Sequence, residues 1–177
     1  MRSPTMVGMP TWTIEQEPVT GPEIGDVMWQ YFGEMAERVM GRSAVEAELR
    51  QALERDPHRD LAPPGGAFLV ARDGTGAFLG CVGVRLLPEV PGAAELKRMF
   101  VRPAGRGTGL GRGLLVAAEA AARELGATRM VCETNTQLTE ARALYAAHAY
   151  EEIPPYEGHG RADHWFAKSL VEDGTAG

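Results

Sequence analysis

Arg106-x-x-Gly109-x-Gly111 is the spacing in this chain with the clearest chemical meaning. It lies in the run Glu95-Leu-Lys-Arg-Met-Phe-Val-Arg-Pro-Ala-Gly-Arg-Gly-Thr-Gly-Leu-Gly-Arg-Gly113. There an apolar strand passes through a Gly-rich turn into a helix of about four turns. Such a turn presents bare backbone N–H groups at a helix N-terminus, a seat for a phosphate or pyrophosphate. Two better-known phosphate loops do not fit. The mononucleotide loop ends in Gly-Lys-Ser/Thr, and no Gly-Lys pair occurs in the chain. The dinucleotide fingerprint Gly-x-Gly-x-x-Gly fails from Gly107, where Arg112 takes the third glycine's place, and from Gly109, where Leu114 does.

Other reactive constellations are missing from the sequence. No Cys/His/Asp group has metal-ligand spacing, so no metal is expected, and no Ser-His-Asp or catalytic-Cys signature is present. Cys81 and Cys132 sit inside apolar runs and read as buried, reduced thiols. A net charge of -6 speaks against a nucleic-acid binder and suits a cationic partner such as an amine. No apolar run reaches membrane-spanning length and Met1–Pro10 lacks the core of a signal peptide, so a cytoplasmic protein without membrane partners is expected. At 177 residues, 44% of them hydrophobic, the chain is long enough to bury the core of one domain.

The elements that must position the turn follow from periodicity and breakers. Residues 1–10 read as a flexible arm, 11–170 as one domain and 171–177 as a tail. Thr11–Glu17 is a first strand. Thr20 and Glu23 form a capping box for a helix with an apolar stripe from Ile24 to Val39, and Ser43 and Glu46 repeat that spacing for a second. Strands follow at Ala67–Arg72, Phe78–Leu87 and Ala93–Val101. A helix spans Leu110–Leu125, a strand Met130–Thr134 and a helix Thr139–Ala147, before strands at Glu151–Pro154 and His164–Ser169. The order is β-α-α-β-β-β-α-β-α-β-β, an α/β (α+β) layout around one sheet.

The spacing Arg106-x-x-Gly109-x-Gly111 resembles the acetyl-CoA signature (Arg/Gln-x-x-Gly-x-Gly/Ala) of the GNAT superfamily of N-acetyltransferases, and the element order is the one that family shows. Two further segments carry the resemblance: Glu133-Thr-Asn-Thr-Gln-Leu-Thr-Glu-Ala-Arg-Ala-Leu-Tyr145, and Tyr150-Glu-Glu-Ile-Pro-Pro-Tyr156 with Asp163-His-Trp-Phe-Ala-Lys-Ser-Leu170. Together they cover about residues 11–170. The chain departs from the pattern at Leu138, where many members carry a cofactor-contacting Asn, and at Ala149, where a Gly is usual. Asn135 lies nearby as a substitute for the first.

The resemblance implies a central, mostly antiparallel mixed sheet splayed in the middle, with helices on both faces. It implies acetyl-CoA as acyl donor, held by Arg106, Gly107, Thr108, Gly109, Leu110, Gly111 and Arg112, with Asn135 nearby. Arg112 either faces a phosphate or lies solvated on the first helical turn. The strand before the turn would bulge and pair with the pantetheine arm through the backbone of Met99, Phe100 and Val101. Tyr145 is the candidate general acid for the departing thiolate, against the reading of a core aromatic. Glu95 is the candidate base, against the reading of a carboxylate paired with Lys97. Glu133, His164 and Tyr156 are lesser candidates. The implied function is an N-acetyltransferase that uses direct transfer to a small-molecule or peptide amine; the alternative is a non-catalytic acyl-CoA-binding sensor. A homodimer paired through apolar edge surface at Trp165 and Phe166 is a further expectation.

Overall fold

The computed structural model describes residues 11–55, 58–156 and 161–171. The arm expected over residues 1–10 and nearly all of the expected tail therefore lie outside the described residues. The elements run β1 (Trp12–Gln16), α1 (Ile24–Met40), α2 (Glu46–Arg55), β2 (Gly66–Asp73), β3 (Phe78–Leu86), β4 (Ala93–Val101), α3 (Leu110–Glu124), β5 (Arg129–Thr134), α4 (Thr139–Ala147), β6 (Glu151–Ile153) and β7 (His164–Ser169). This is the order read from the sequence, with short 3-10 turns added at His58–Asp60 and Pro103–Gly105.

The strands form one seven-stranded sheet in the order β1-β2-β3-β4-β5-β7-β6. Every neighbouring pair is antiparallel except β4 with β5. Both faces are covered, and the period-two alternation of β2 assigns its side chains to them. Ala67, Leu69 and Ala71 pack with Leu110, Leu114 and Ala118 of α3, a cluster that Tyr145 of α4 also joins. Phe68 and Val70 pack on the other face with Ile24, Val27 and Met28 of α1. Helix α3 sits close on the sheet because Gly113 has no side chain: a Cβ there would lie 2.5 Å from the ring of Trp12.

Three sequence expectations need correction. Thr20 and Glu23 do not form a capping box. Glu23 itself precedes the first turn without a side-chain cap, and its carboxylate pairs with Arg72, which Glu17 also holds at 2.7 Å. The α2 cap is shifted two residues from Ser43/Glu46. Glu48, drawn in by Arg42 at 2.7 Å, accepts the Val45 N–H at 3.0 Å, while Glu46 pairs with Arg50 one turn on. Strand β7 is not an edge. It lies between β5 and β6, and Phe166 belongs to the core, so Trp165 and Phe166 cannot serve as a free pairing edge for a second copy.

Helix α4 closes with the Tyr150 N–H on the Tyr145 carbonyl at 3.1 Å and the His148 N–H on the same oxygen at 3.0 Å. That closure places Ala149 in the left-handed region, φ 64°, where an exposed alanine is strained and glycine is not. Ala149→Gly should therefore stabilise the fold by about 1 kcal/mol, a rise of about 2–4 °C in Tm. Thermal and urea melts of both proteins check it; an unchanged or lowered Tm would contradict the strain.

Candidate active site

The site begins where β4 stops following its neighbours. Against β3, Cys81 faces Phe100 and Gly83 faces Lys97, so Arg98 and Met99 together oppose Val82. This is a β-bulge, and Arg98 occupies it at φ 55°. The bulge is thus centred at Arg98, just before the Met99–Val101 stretch expected from sequence. The Arg98 carbonyl accepts the Cys81 thiol at 3.4 Å, and its guanidinium lies over the Phe32 ring at 4.7 Å and the Tyr31 ring at 5.7 Å. A cation over an aromatic face is worth about 0.5–2 kcal/mol, comparable with the cost of the left-handed backbone.

Against β5, β4 pairs only through Ala93, Ala94 and Glu95, with Arg129, Met130 and Val131. Strand β5 continues to Thr134, but its remaining residues pair with β7 alone. From Leu96 onward the two parallel strands diverge, and the β5-facing backbone of β4 is left without a strand partner. The splayed sheet expected from the resemblance is realised here.

Three connected cavities follow the opening. A cleft of about 540 Å³ runs from the N-terminus of α3 along β4. Of the expected cofactor residues it is lined by Met99, Phe100, Val101, Arg106, Gly107, Gly109, Leu110, Gly111 and Arg112. The α3 ladder starts with the Gly113 N–H on the Gly109 carbonyl at 3.0 Å, so Leu110, Gly111 and Arg112 have no intrahelical acceptor. Gly107 and Gly109 have φ of 75° and 79°, and a Cβ on either would meet nothing within 4 Å. Both glycines line the cleft, and the turn leaves their backbone uncovered there. Thr108 does not line the cleft; its hydroxyl donates to the Gly105 carbonyl at 2.7 Å and holds the turn.

Guanidiniums gather at the same end. Arg106 donates to Val101 O at 3.0 Å and makes a two-oxygen pair with Glu34 at 2.8 and 2.9 Å. Arg112 is exposed on the first turn of α3. Arg38 of α1, which sequence reasoning did not select, also lines the cleft and pairs with Glu140 at 2.6 Å.

A chamber of about 230 Å³ lies in the wedge between β4 and β5, sharing Tyr31, Met35, Met99, Leu138 and Ala141 with the cleft. Tyr145 lines it, and burial holds its hydroxyl proton well above the ordinary phenol range. Glu133 of β5 and Asn135, just past its end, line the chamber, so Asn135 stands there and not along the cleft. Beyond it a third cavity of about 1110 Å³ extends between α1, α2 and sheet residues Arg85, Lys97 and Glu133 of β3, β4 and β5.

Glu95 lines none of these cavities. Its carboxylate is fully buried, with Oε2 on Arg85 at 2.7 and 2.8 Å and 3.9 Å from Lys97, and Oε1 accepting the Tyr156 hydroxyl at 2.8 Å. Burial first, and the Glu95 charge second, push the Tyr156 phenol up as well. Arg85, reaching also to Asp60, was not selected from sequence, because its partner is ten residues away along the chain and meets it only across the β3–β4 ladder. His164 lines none of the three cavities; its ring bonds Glu152 at 2.6 Å and Thr136 at 3.1 Å.

A strand bulge, a Gly-rich helix start and a split between two parallel strands now stand in one cleft. The sequence profile of the Acetyltransferase (GNAT) family matches residues 26–150. The chain belongs to this family. It is 40% identical over 101 residues to an uncharacterised N-acetyltransferase of Schizosaccharomyces pombe, a match spanning 57% of this chain and 61% of that protein. It is 33% identical over 152 residues to the IAA acetyltransferase of Azospirillum brasilense, spanning 86% of this chain and 92% of that one. The Salmonella typhimurium protein yncA, solved with its cofactor acetyl-CoA, shares the fold at a TM-score of 0.58 and 19% identity, over 93% of this chain and 96% of that one. Among the described residues no cluster could hold a metal ion, and no helix is long and apolar enough to cross a membrane.

The buried Glu95–Arg85 pair yields a stability prediction. Arg85→Met would leave the Glu95 charge in the interior without its main partner, a loss of about 3–5 kcal/mol for a broken buried pair. Urea unfolding of both proteins measures it, and a loss below about 1 kcal/mol, the range of exposed pairs, would mean that Glu95 is compensated without Arg85.

Proposed function

We propose that this protein transfers the acetyl group of acetyl-CoA to a primary amine by direct attack. One observation carries the reading: the cleft that starts at the α3 N-terminus ends in the wedge between β4 and β5, where Tyr145 stands. The residues fit the donor. Three first-turn N–H groups, a turn open at Gly107 and Gly109, and the guanidiniums of Arg38, Arg106 and Arg112 suit its phosphates. The Arg106–Glu34 pair is half-exposed and so contributes at most about 1 kcal/mol, which a phosphate partner readily replaces. The likeness to yncA, solved with acetyl-CoA, supports the same donor. The freed backbone of β4 is available to pair with an extended pantetheine arm, and a β4 N–H at the bulge to polarise the thioester carbonyl.

In the transfer the amine nitrogen bonds the carbonyl carbon, the carbon–sulfur bond breaks, nitrogen gives up one proton and sulfur gains one. Tyr145 donates to the sulfur. Its raised pKa keeps the phenol protonated at all neutral pH values. The same apolar surroundings penalise the departing thiolate, which keeps the transfer between them close to balanced. Glu95 does not act as the base, since both of its oxygens are engaged and none of the cavities reaches it. An acceptor that arrives as an ammonium sheds two protons. Glu133, which borders both the chamber and the large cavity, passes the first to water before attack. The second, released from nitrogen as the amide forms, returns through water to the Tyr145 phenolate.

Two measurements test this function, beside a screen for free CoA released with a panel of amines. Gly109 and Gly126 both have positive φ with open space at Cβ, so Gly109→Ala and Gly126→Ala should each cost about 1–2 kcal/mol of stability. Only Gly109→Ala should weaken acetyl-CoA tenfold or more, about 1.4 kcal/mol by calorimetry, because only there does the new methyl enter the donor's cleft. Equal affinities in the two variants would detach the turn from the donor.

Tyr145→Phe keeps the ring, its packing and the donor affinity but removes the acidic proton. Its kcat should fall by a factor of about ten to a thousand. An unchanged kcat, with the chemical step shown to be rate-limiting, would leave solvent as the proton source.

A further inference from the structure

We propose that the acceptor is a bulky apolar amine that carries its own carboxylate close to the amine, the apolar α-amino acids being its simplest members. The inference rests on the transferase reading for one point only, that the amine must enter the chamber. The large cavity of about 1110 Å³ meets the chamber at Met35, Lys97, Glu133, Asn135 and Arg161. Its α1–α2 wall is apolar: Phe32, Met35 and Val39 recur at helical spacing on α1, facing Leu49 and Ala52 of α2. No small hydrophilic amine would need such a wall, and the volume leaves room for a large side chain.

The charges at the other wall are uneven. Glu48 is taken by Arg42, at 2.7 and 3.0 Å. Arg85 is taken by Glu95 and Asp60, and Lys97 lies 3.9 Å from Glu95. Glu133 is the carboxylate that borders both the chamber and the cavity. Against it stand Arg55 and Arg161, whose guanidiniums make no ion pair or side-chain hydrogen bond among the described residues. The chain as a whole is acidic at -6, which would draw cations toward it, but this cavity presents positive charge to what enters. A polyamine would set several like charges against two guanidiniums. A carboxylate would find a fork-shaped partner matched to its two oxygens.

Arg161 and Glu133 both border the chamber and the cavity, whereas Arg55 borders the cavity alone. A molecule whose amine meets Glu133 and whose carboxylate meets Arg161 must hold the two groups close together, as an α-amino acid does. Its side chain then lies toward α1 and α2.

The test is equilibrium binding to the CoA-saturated protein, followed by calorimetry, with CoA release assayed in parallel. Phenylalanine, tryptophan and leucine are compared with their carboxamides and with spermidine, for wild type and Arg161→Gln. Arg161 is exposed, so the variant should fold normally, and an unchanged acetyl-CoA affinity verifies it. At least one amino acid should bind ten or more times tighter than its amide, spermidine should bind weakest, and Arg161→Gln should erase the preference for the acid. Amides that bind as well as the acids, a preference for spermidine, or no binding of any amino acid would overturn the inference. Selective binding of the acids without any CoA release would sustain it while refuting the transferase reading. CoA release with spermidine or the amides would do the reverse.

Discussion

Strands β4 and β5 share three residue pairs and then part, and the rest of the site depends on that separation. Parallel strands in the middle of a sheet ordinarily stay paired, because a buried peptide group without a partner costs about 1–3 kcal/mol. The divergence persists because each strand is held from its other side. β5 is paired to β7 over all six of its residues, and β4 is paired to β3 around the bulge. Arg98 adds the turn in the strand, and its stack on Phe32 and Tyr31 ties that turn to α1. The wedge is thus a consequence of fixed neighbours.

From the wedge the division of labour follows. One mouth opens at the α3 N-terminus, where backbone N–H groups and guanidiniums meet; the other opens under α1 and α2, between an apolar wall and Arg161. Helix α1 borders both, through Glu34 and Arg38 on the first side and Phe32 and Val39 on the second. A change in its tilt would alter both mouths at once. That coupling gives the β4-facing residues of α1 a constraint which an isolated amphipathic helix would not carry.

Much of this was legible in the chain because it is local. The Gly-rich turn, α3 and the element order follow from spacing within windows of a few residues, and the bounds of β4, α4 and β7 agree residue for residue with the structure. What the sequence hid is contact between distant segments. The α1 and α2 caps shifted because Arg72 captures Glu23 from 49 residues away and Arg42 captures Glu48. Glu95 looked available because nothing nearby in sequence reveals Tyr156, 61 residues on, or the closure by Arg85. Trp165 and Phe166 looked like an edge because β7 follows β6 in the chain, although it inserts between β6 and β5. Alternation reports which face a side chain takes, and it does not report which strand lies beside it.

The distribution of charge along the path bears on the chemistry. Guanidiniums stand at the α3 end of the path, and Glu133 and Arg161 at the other, while Tyr31, Met99, Leu138 and Tyr145 form apolar walls between them. An oxyanion formed beside those apolar walls in the proposed transfer would gain more from a fixed backbone N–H on the bulged strand than it would in solution. The same apolar walls disfavour a free thiolate and a free phenolate alike. In the proposed transfer, proton delivery from Tyr145 need not be driven by acidity; it would require only that the hydroxyl be held in place as the carbon–sulfur bond lengthens. Its ring is fixed between Tyr150 and Phe166, with centroids at 5.4 and 5.6 Å, and that packing would hold the hydroxyl in place.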